Sequence, residues 1–178
     1  EILSQRCNSP KAKEDLIMGR ADLGIVLTAS LEHTVLEYLP LWTGELLLAL
    51  PDGHPEVSQE EIHAGNFEKL RDDYFVLTHA PSFARDSEEQ ILRAMQLQPN
   101  VICEVEDNVS RRYMLNKGLG NAFVPGDSHH EGDTFRTYSL NPPFIFYIVA
   151  AYPKTCTLSE PMKQLIRLLL THFEHSAL

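Results

Sequence analysis

Leu16-Ile17-Met18-Gly19-Arg20-Ala21-Asp22-Leu23-Gly24-Ile25-Val26-Leu27 carries the end of a helix, its stop and a strand in one short run. Leu16 and Ile17 supply an apolar helix face, Gly19 ends the helix, and Ala21–Leu27 is apolar enough for a buried strand. Upstream, Ser9-Pro10 reads as the helix start, because a serine accepts from free helical N–H groups and proline suits the first turn. Ile2 to Arg6 reads as a short strand before it. Strand, helix and strand with short loops predict a right-handed crossover and a parallel pair.

Downstream, Val35–Leu41 and Glu45–Leu50 are strand-like, and Pro51-Asp52-Gly53-His54-Pro55 is a strong break. Ser58-Gln59-Glu60-Glu61 is a capping box that opens a helix to about Ala64. Tyr74–Thr78 is a strand, Ser87–Leu97 a helix, Val101–Val105 a strand and Asn108–Lys117 a helix stopped by Gly118. Asn121–Val124 is a strand ended by Pro125-Gly126. Thr134–Leu140 and Phe144–Tyr152 are strands, and Thr157-Leu-Ser-Glu160 caps a last helix to about His175. Strand and helix alternate, so the class is α/β. The middle stretch, about Pro51 to Val124, is bracketed by strands, which suggests an inserted second lobe joined by two crossing strands. A cleft between lobes is where small ligands usually bind.

The chain has 178 residues, 43% hydrophobic and 22% charged, an ordinary globular composition. Its formal net charge of -10 repels a phosphate backbone, so direct nucleic-acid binding by this segment is not expected. Arg111-Arg112 with Lys117 is the nearest thing to a basic patch and reads as a solvated helix face. No apolar run reaches the ~18 residues of a spanning helix, and no signal peptide opens the chain, so no membrane partner is expected. Cys7, Cys103 and Cys156 form no C-x-x-C pair, which fits a reducing, cytoplasmic setting, with Cys7 and Cys103 as small buried strand residues.

Four pieces in order are similar to the effector-binding domain of LysR-type transcriptional regulators: Leu16–Ile25; Leu46-Leu47-Leu48-Ala49-Leu50-Pro51-Asp52-Gly53-His54-Pro55; Leu70 with Tyr74–Leu77 and Arg85; and Met114-Leu115-Asn116-Lys117-Gly118-Leu119-Gly120-Asn121-Ala122-Phe123-Val124-Pro125. The resemblance implies a two-lobed periplasmic-binding-protein-like (type 2) fold, with two α/β subdomains joined by two crossover strands. Residues 1-47 and 125-178 would form the discontinuous regulatory subdomain I, and 48-124 subdomain II. It implies a small-molecule effector, a small carboxylate among the candidates, held in the interlobe cleft. Dimer or tetramer contacts would pass the change to DNA through a winged helix-turn-helix domain outside this chain. Members of the family usually place a strand and a long helix before the position of Ile2, so the resemblance also reads the chain as N-terminally truncated.

In such a cleft a ligand meets strand ends and helix starts. Asn8 and Ser9 begin one helix, and Ser9 reads either as a ligand contact or as a cap. Thr28 follows the Asp22–Leu27 strand and reads either as pointing toward the cleft mouth or as a loop hydroxyl. Thr78 and His79 end the Tyr74 strand, where the resemblance places ligand contacts, and a loop histidine without function is the other reading of His79. Phe83 and Arg85 follow; Arg85 is either a bidentate carboxylate clamp or one half of a surface ion pair. Asn108 opens the next helix beside Asp107, which reads as its cap, and Pro125 lies on the return crossover. No G-x-S-x-G, P-loop, G-x-G-x-x-G or H-E-x-x-H motif is present, so no enzyme, catalytic residue or cofactor is expected. Glu104 and Glu106 share a strand face and read as solvated. Asp127, His129, His130, Glu131 and Asp133, and the pair His172 and His175, have metal-ligand chemistry, but polar loops collect such residues and no metal is expected. A solute-binding protein of a transporter shares the fold and is the alternative; an enzyme on the same fold is the third reading.

Overall fold

The strand that follows the Gly19 stop finds its partner at the far end of the chain. In the computed structural model, which describes residues 3–126 and 130–176, α1 (Ser9–Ile17) leads into β1 (Gly24–Thr28). β1 pairs antiparallel with β7 (Phe144–Pro153), in register from Gly24 opposite Ala151 to Thr28 opposite Tyr147. The parallel pair expected between Ile2–Arg6 and this strand is not formed. Ile2 lies outside the described residues; residues 3–8 adopt no strand, and Leu3 is 87% exposed. The apolar β7 run takes one edge of β1, and on Leu27 the Ser9 Oγ accepts the backbone N–H at 2.9 Å. Cys7, expected to be buried in a strand, lies in the strandless 3–8 segment and is exposed.

α1 ends where Gly19 adopts φ +69°, a left-handed conformation that suits glycine. Its inner face sets Leu16 against Val26, Leu36, Tyr38, Val149 and Ala151, a small core sealed by β1, β2 and β7. The two strands read at Val35–Leu41 and Glu45–Leu50 are one, β2 (Leu36–Pro51). A five-stranded sheet runs β1-β7-β2-β5, with β6 (Phe135–Tyr138) also on β2. β2 pairs antiparallel with β5 (Ala122–Pro125) over Leu46–Ala49 and with β6 over Leu48–Pro51.

The chain divides into two compact units, Glu1–Thr43 with Phe146–Leu178, and Gly44–Ile145. The inserted unit is wider than the expected 48-124, because β6 pairs with the C-terminal end of β2 and so stays with it. β2 and β7 each run through the unit boundary, which makes them the two crossover strands.

Within the inserted unit, Ser58 accepts from the Glu61 N–H, and the Glu61 carboxylate accepts from the Ser58 N–H, so the capping box opens α2 (Gln59–His63) as read. A short 3-10 turn at Glu68–Leu70 precedes β3 (Tyr74–Thr78). β3 lies parallel to β4 (Asn100–Val105), with α3 (Phe83–Ala94) and α4 (Asn108–Asn116) leaving their C-terminal ends. On its other side β3 meets Asn121: the Val76 N–H donates to Asn121 O, and the Asn121 N–H to Tyr74 O, each at 2.8 Å. This approach needs Gly120, where an added Cβ would stand 2.9 Å from Tyr74 O. Ala49, Val76, Val105, Leu115, Ala122, Val124 and Phe135 form the core beneath. The Pro51–Pro55 break is pinned by His54, whose Nε2 is 2.7 Å from Asp73 Oδ2, an oxygen that also accepts from Asn121 Nδ2. The last helix, α5 (Glu160–Ser176), begins three residues after Thr157, so Thr157 is not its N-cap.

Candidate ligand-recognition site

Two parallel strands that end side by side, each followed by a helix, bring two helix starts to one edge. Such carboxyl edges of parallel strands are recurrent ligand sites. Here the edge is built by Thr78 at the end of β3 and His79 after it, by Glu104 and Val105 at the end of β4, and by the first turns of α3 and α4. Ser82 caps α3 by accepting the Arg85 N–H at 3.1 Å, and the helix begins at Phe83, four residues ahead of the start read at Ser87. Asp107 caps α4 by accepting the Ser110 N–H at 2.8 Å, as its position suggested.

Beneath this edge lies a buried ion pair, Arg111 with Glu88. Arg111, read as part of a solvated basic face, is 3% exposed, and its Nη2 stands 3.2 Å from Glu88 Oε1. The Thr78 N–H donates to Glu88 Oε2 at 2.7 Å and the Thr78 hydroxyl to Glu88 Oε1 at 2.6 Å, while Arg111 Nη2 donates to that hydroxyl. Arg111 Nη1 reaches Asn108 Oδ1 at 2.9 Å, and Nε is buried with no partner among the described residues. Burial pushes the Glu88 carboxyl above its usual range, against the pull of Arg111 and the Thr78 bonds. Both residues were legible by spacing: Glu88 shares a helix face with Ile91 and Leu92, and Arg111 with Leu115.

Above it is a second, solvent-facing network. Arg85 Nη1 donates to Glu104 Oε1 at 2.6 Å and to Thr78 O at 3.0 Å, and Nε to Glu89 Oε1 at 2.9 Å. His79 Nδ1 lies 3.1 Å from Glu104 Oε2. The hydrogen bond from Arg85, then that from His79, holds the Glu104 carboxyl below its ordinary value. Of the two readings of Arg85, the ion pair is the one formed. Glu104, read as a solvated carboxylate, is its partner.

The inserted unit thus gathers Thr78, His79, Arg85 and Asn108 at one edge, with Phe83 half-buried in the first turn of α3. Pro125, half-buried, ends β5 opposite Leu46. In the other unit, the helix cap is Asn8 and not Ser9: the Asn8 side chain accepts the Lys11 N–H at 2.9 Å, because the Ser9 hydroxyl is spent on Leu27. The Thr28 hydroxyl donates to Ser30 O at 2.9 Å. This unit also carries an open groove of about 550 Å³ lined by Leu31, His33, Glu37, Tyr38 and Lys154 among others. Asp127, His129 and the side chain of His175 lie outside what the structure describes. In the rest of that loop Arg112 Nε and Asn116 Nδ2 donate to Asp133 Oδ1 at 2.6 and 3.0 Å, which takes Arg112 out of the basic patch.

Residues 3–174 match the family described as the LysR substrate binding domain. The chain belongs to the LysR substrate binding domain family. This LysR domain is similar to the HTH-type transcriptional regulator AlsR of Bacillus subtilis (strain 168), with 29% identity over 131 residues, 72% of this chain and 42% of AlsR. It spans less than half the length of the curated relatives it matches. Among solved structures, the QuiR effector binding domain in complex with shikimate superposes with a TM-score of 0.69 at 20% identity, covering 95% of this chain and 79% of that one. The Synechocystis PCC6803 CcmR regulatory domain in complex with 2-PG superposes with a TM-score of 0.72 at 15% identity, covering 93% and 80%. These likenesses show the fold of the LysR domain: two-lobed, α/β and periplasmic-binding-protein-like, with crossover strands. No helix among its described residues is long and apolar enough to cross a membrane.

Proposed function

We propose that this LysR domain senses a small polar effector and reports its occupancy to a DNA-binding domain elsewhere in the same regulator. The observation that carries the reading is the polar edge at the ends of β3 and β4 in a chain whose residues 3–174 match the LysR family. Thr78, His79, Phe83, Arg85, Asn108 and Pro125 of the inserted unit, with Asn8, Ser9 and Thr28 of the other, are the proposed contacts. The protein acts in the cytoplasm as a dimer or tetramer and catalyses no reaction. AlsR is an HTH-type transcriptional regulator, and the QuiR and CcmR domains hold shikimate and 2-PG, so a small polar metabolite is the class to try first. A ligand shifts such a regulator only by its differential affinity for two states; a tenfold difference is about 1.4 kcal/mol.

The test is thermal denaturation of the 178-residue chain against a panel of small polar metabolites, charged and uncharged. A true effector at about 100 times its Kd stabilises by about 2.7 kcal/mol and raises Tm in a concentration-dependent way. His79→Ala weakens that response without lowering the Tm of the free protein. A panel hit that His79→Ala and Asn108→Ala leave untouched removes this edge from the site.

A further inference from the structure

At the β3/β4 edge, two guanidiniums face three carboxylates. Arg111 is matched below the surface by Glu88, and Arg85 is held by Glu104 and Glu89. The groups that remain open to solvent there are the His79 ring, the Glu104 carboxylate and the Asn108 amide, with side-chain exposures of 59% for His79 and 36% for Glu104, against 16% for Arg85. The formal charges presented at the edge are therefore negative, and the Asp107 cap of α4 adds to them. A ligand carboxylate brought here meets Glu104 before it meets Arg85. To reach the guanidinium it must displace a 2.6 Å charge-assisted bond.

We infer that Glu104 is a specificity-determining residue: it occupies Arg85 and turns this edge toward an uncharged, hydrogen-bond-donating end of the effector, such as a hydroxyl or primary amide. The inference rests on the reading of the edge as part of the effector site. It explains how a chain of net charge -10 carries an arginine at this position without presenting an anion receptor. A hydroxyl or amide donates to Glu104 and accepts from the Asn108 amide or the outer nitrogen of His79. A carboxylate only accepts, and leaves Glu104 opposed by a like charge.

The probes are benzamide and benzoate, which share size and ring and differ in the charge of the head group. Both are titrated near neutral pH into the isotopically labelled 178-residue chain and into Glu104→Gln, reading the Arg85 Nε–H, the Asn108 side-chain amide and the His79 backbone resonances. In the unsubstituted protein benzamide moves these signals and benzoate moves them at about tenfold weaker affinity or not at all. In Glu104→Gln, an isosteric change at an exposed strand position, Arg85 is released and the preference reverses, with the Arg85 Nε–H moving on benzoate addition. Benzoate acting on Arg85 equally in both proteins overturns the inference, as does silence of both proteins toward both probes. Neither result touches the sensing reading, which is judged by the metabolite panel; conversely, a panel without any hit leaves the charge logic of Glu104 to be decided by the probe pair alone.

Discussion

Asp133 shows how one carboxylate fixes the loop between β5 and β6 to α4. Its side chain is buried, which alone would raise its pKa. The hydrogen bonds from Asn116, from the His130 N–H and from Arg112 outweigh that and hold it down to about 2. The folded value lies below the ordinary 3.8, so the carboxylate stabilises the fold above roughly pH 4 and loses that contribution as pH falls toward 2. Asp133→Asn is expected to flatten the fall in urea midpoint across that window while the unsubstituted protein loses stability steeply. Equal slopes in the two proteins would show that the loop is not held by the ionised form. Glu88 works the other way, because desolvation dominates there and the buried pair is held for geometry: it ties the end of β3, α3 and α4 to one another.

At the scale of elements, the Gly118-Leu119-Gly120 run has two separate duties. Gly118 takes φ +68° and closes α4, with its N–H on Leu115 O. Gly120 allows the backbone contact with Tyr74 on which the Asn121 bridge depends. Gly120→Ala is expected to cost ~1–3 kcal/mol in chemical denaturation, since backbone and not a flexible side chain must move. Gly53→Ala, where an added Cβ meets nothing within 4 Å, is the neutral control. The glycines, the capping box at Ser58 and strands β3, β4 and β7 were legible in the sequence because local signals decide them. The partner of β1 was not. Its apolar run is compatible with a parallel or an antiparallel neighbour, and the choice is made by β7, more than 100 residues downstream. The pairing of Arg111 with Glu88 and of Arg85 with Glu104 was hidden for a similar reason, as each joins different elements. The spacing showed which face each residue lies on and not what faces it.

For the molecule as a whole, one unit is continuous in sequence and the other is not. Gly44–Ile145 holds its own core, both strands of the parallel pair and the pairing of β2 with β5 and β6. A fragment of residues 44–145 is expected to fold alone, giving dispersed amide resonances and a cooperative urea transition. A spectrum without dispersion would mean that its core depends on the remainder of the chain. The other unit cannot be cut out in one piece, because its sheet joins β1 to β7. The 16-residue β2 serves both cores, and its buried Leu36 and Tyr38 at one end share parity with Leu46, Leu48 and Leu50 at the other. Side chains alternate faces along a strand, so adding or deleting one residue near Thr43 would set Leu47 and Ala49 on the face that Leu46, Leu48 and Leu50 now share with Leu36 and Tyr38. The length of that ribbon is therefore an invariant of the design: changes of two residues keep both sets in phase, and a change of one does not.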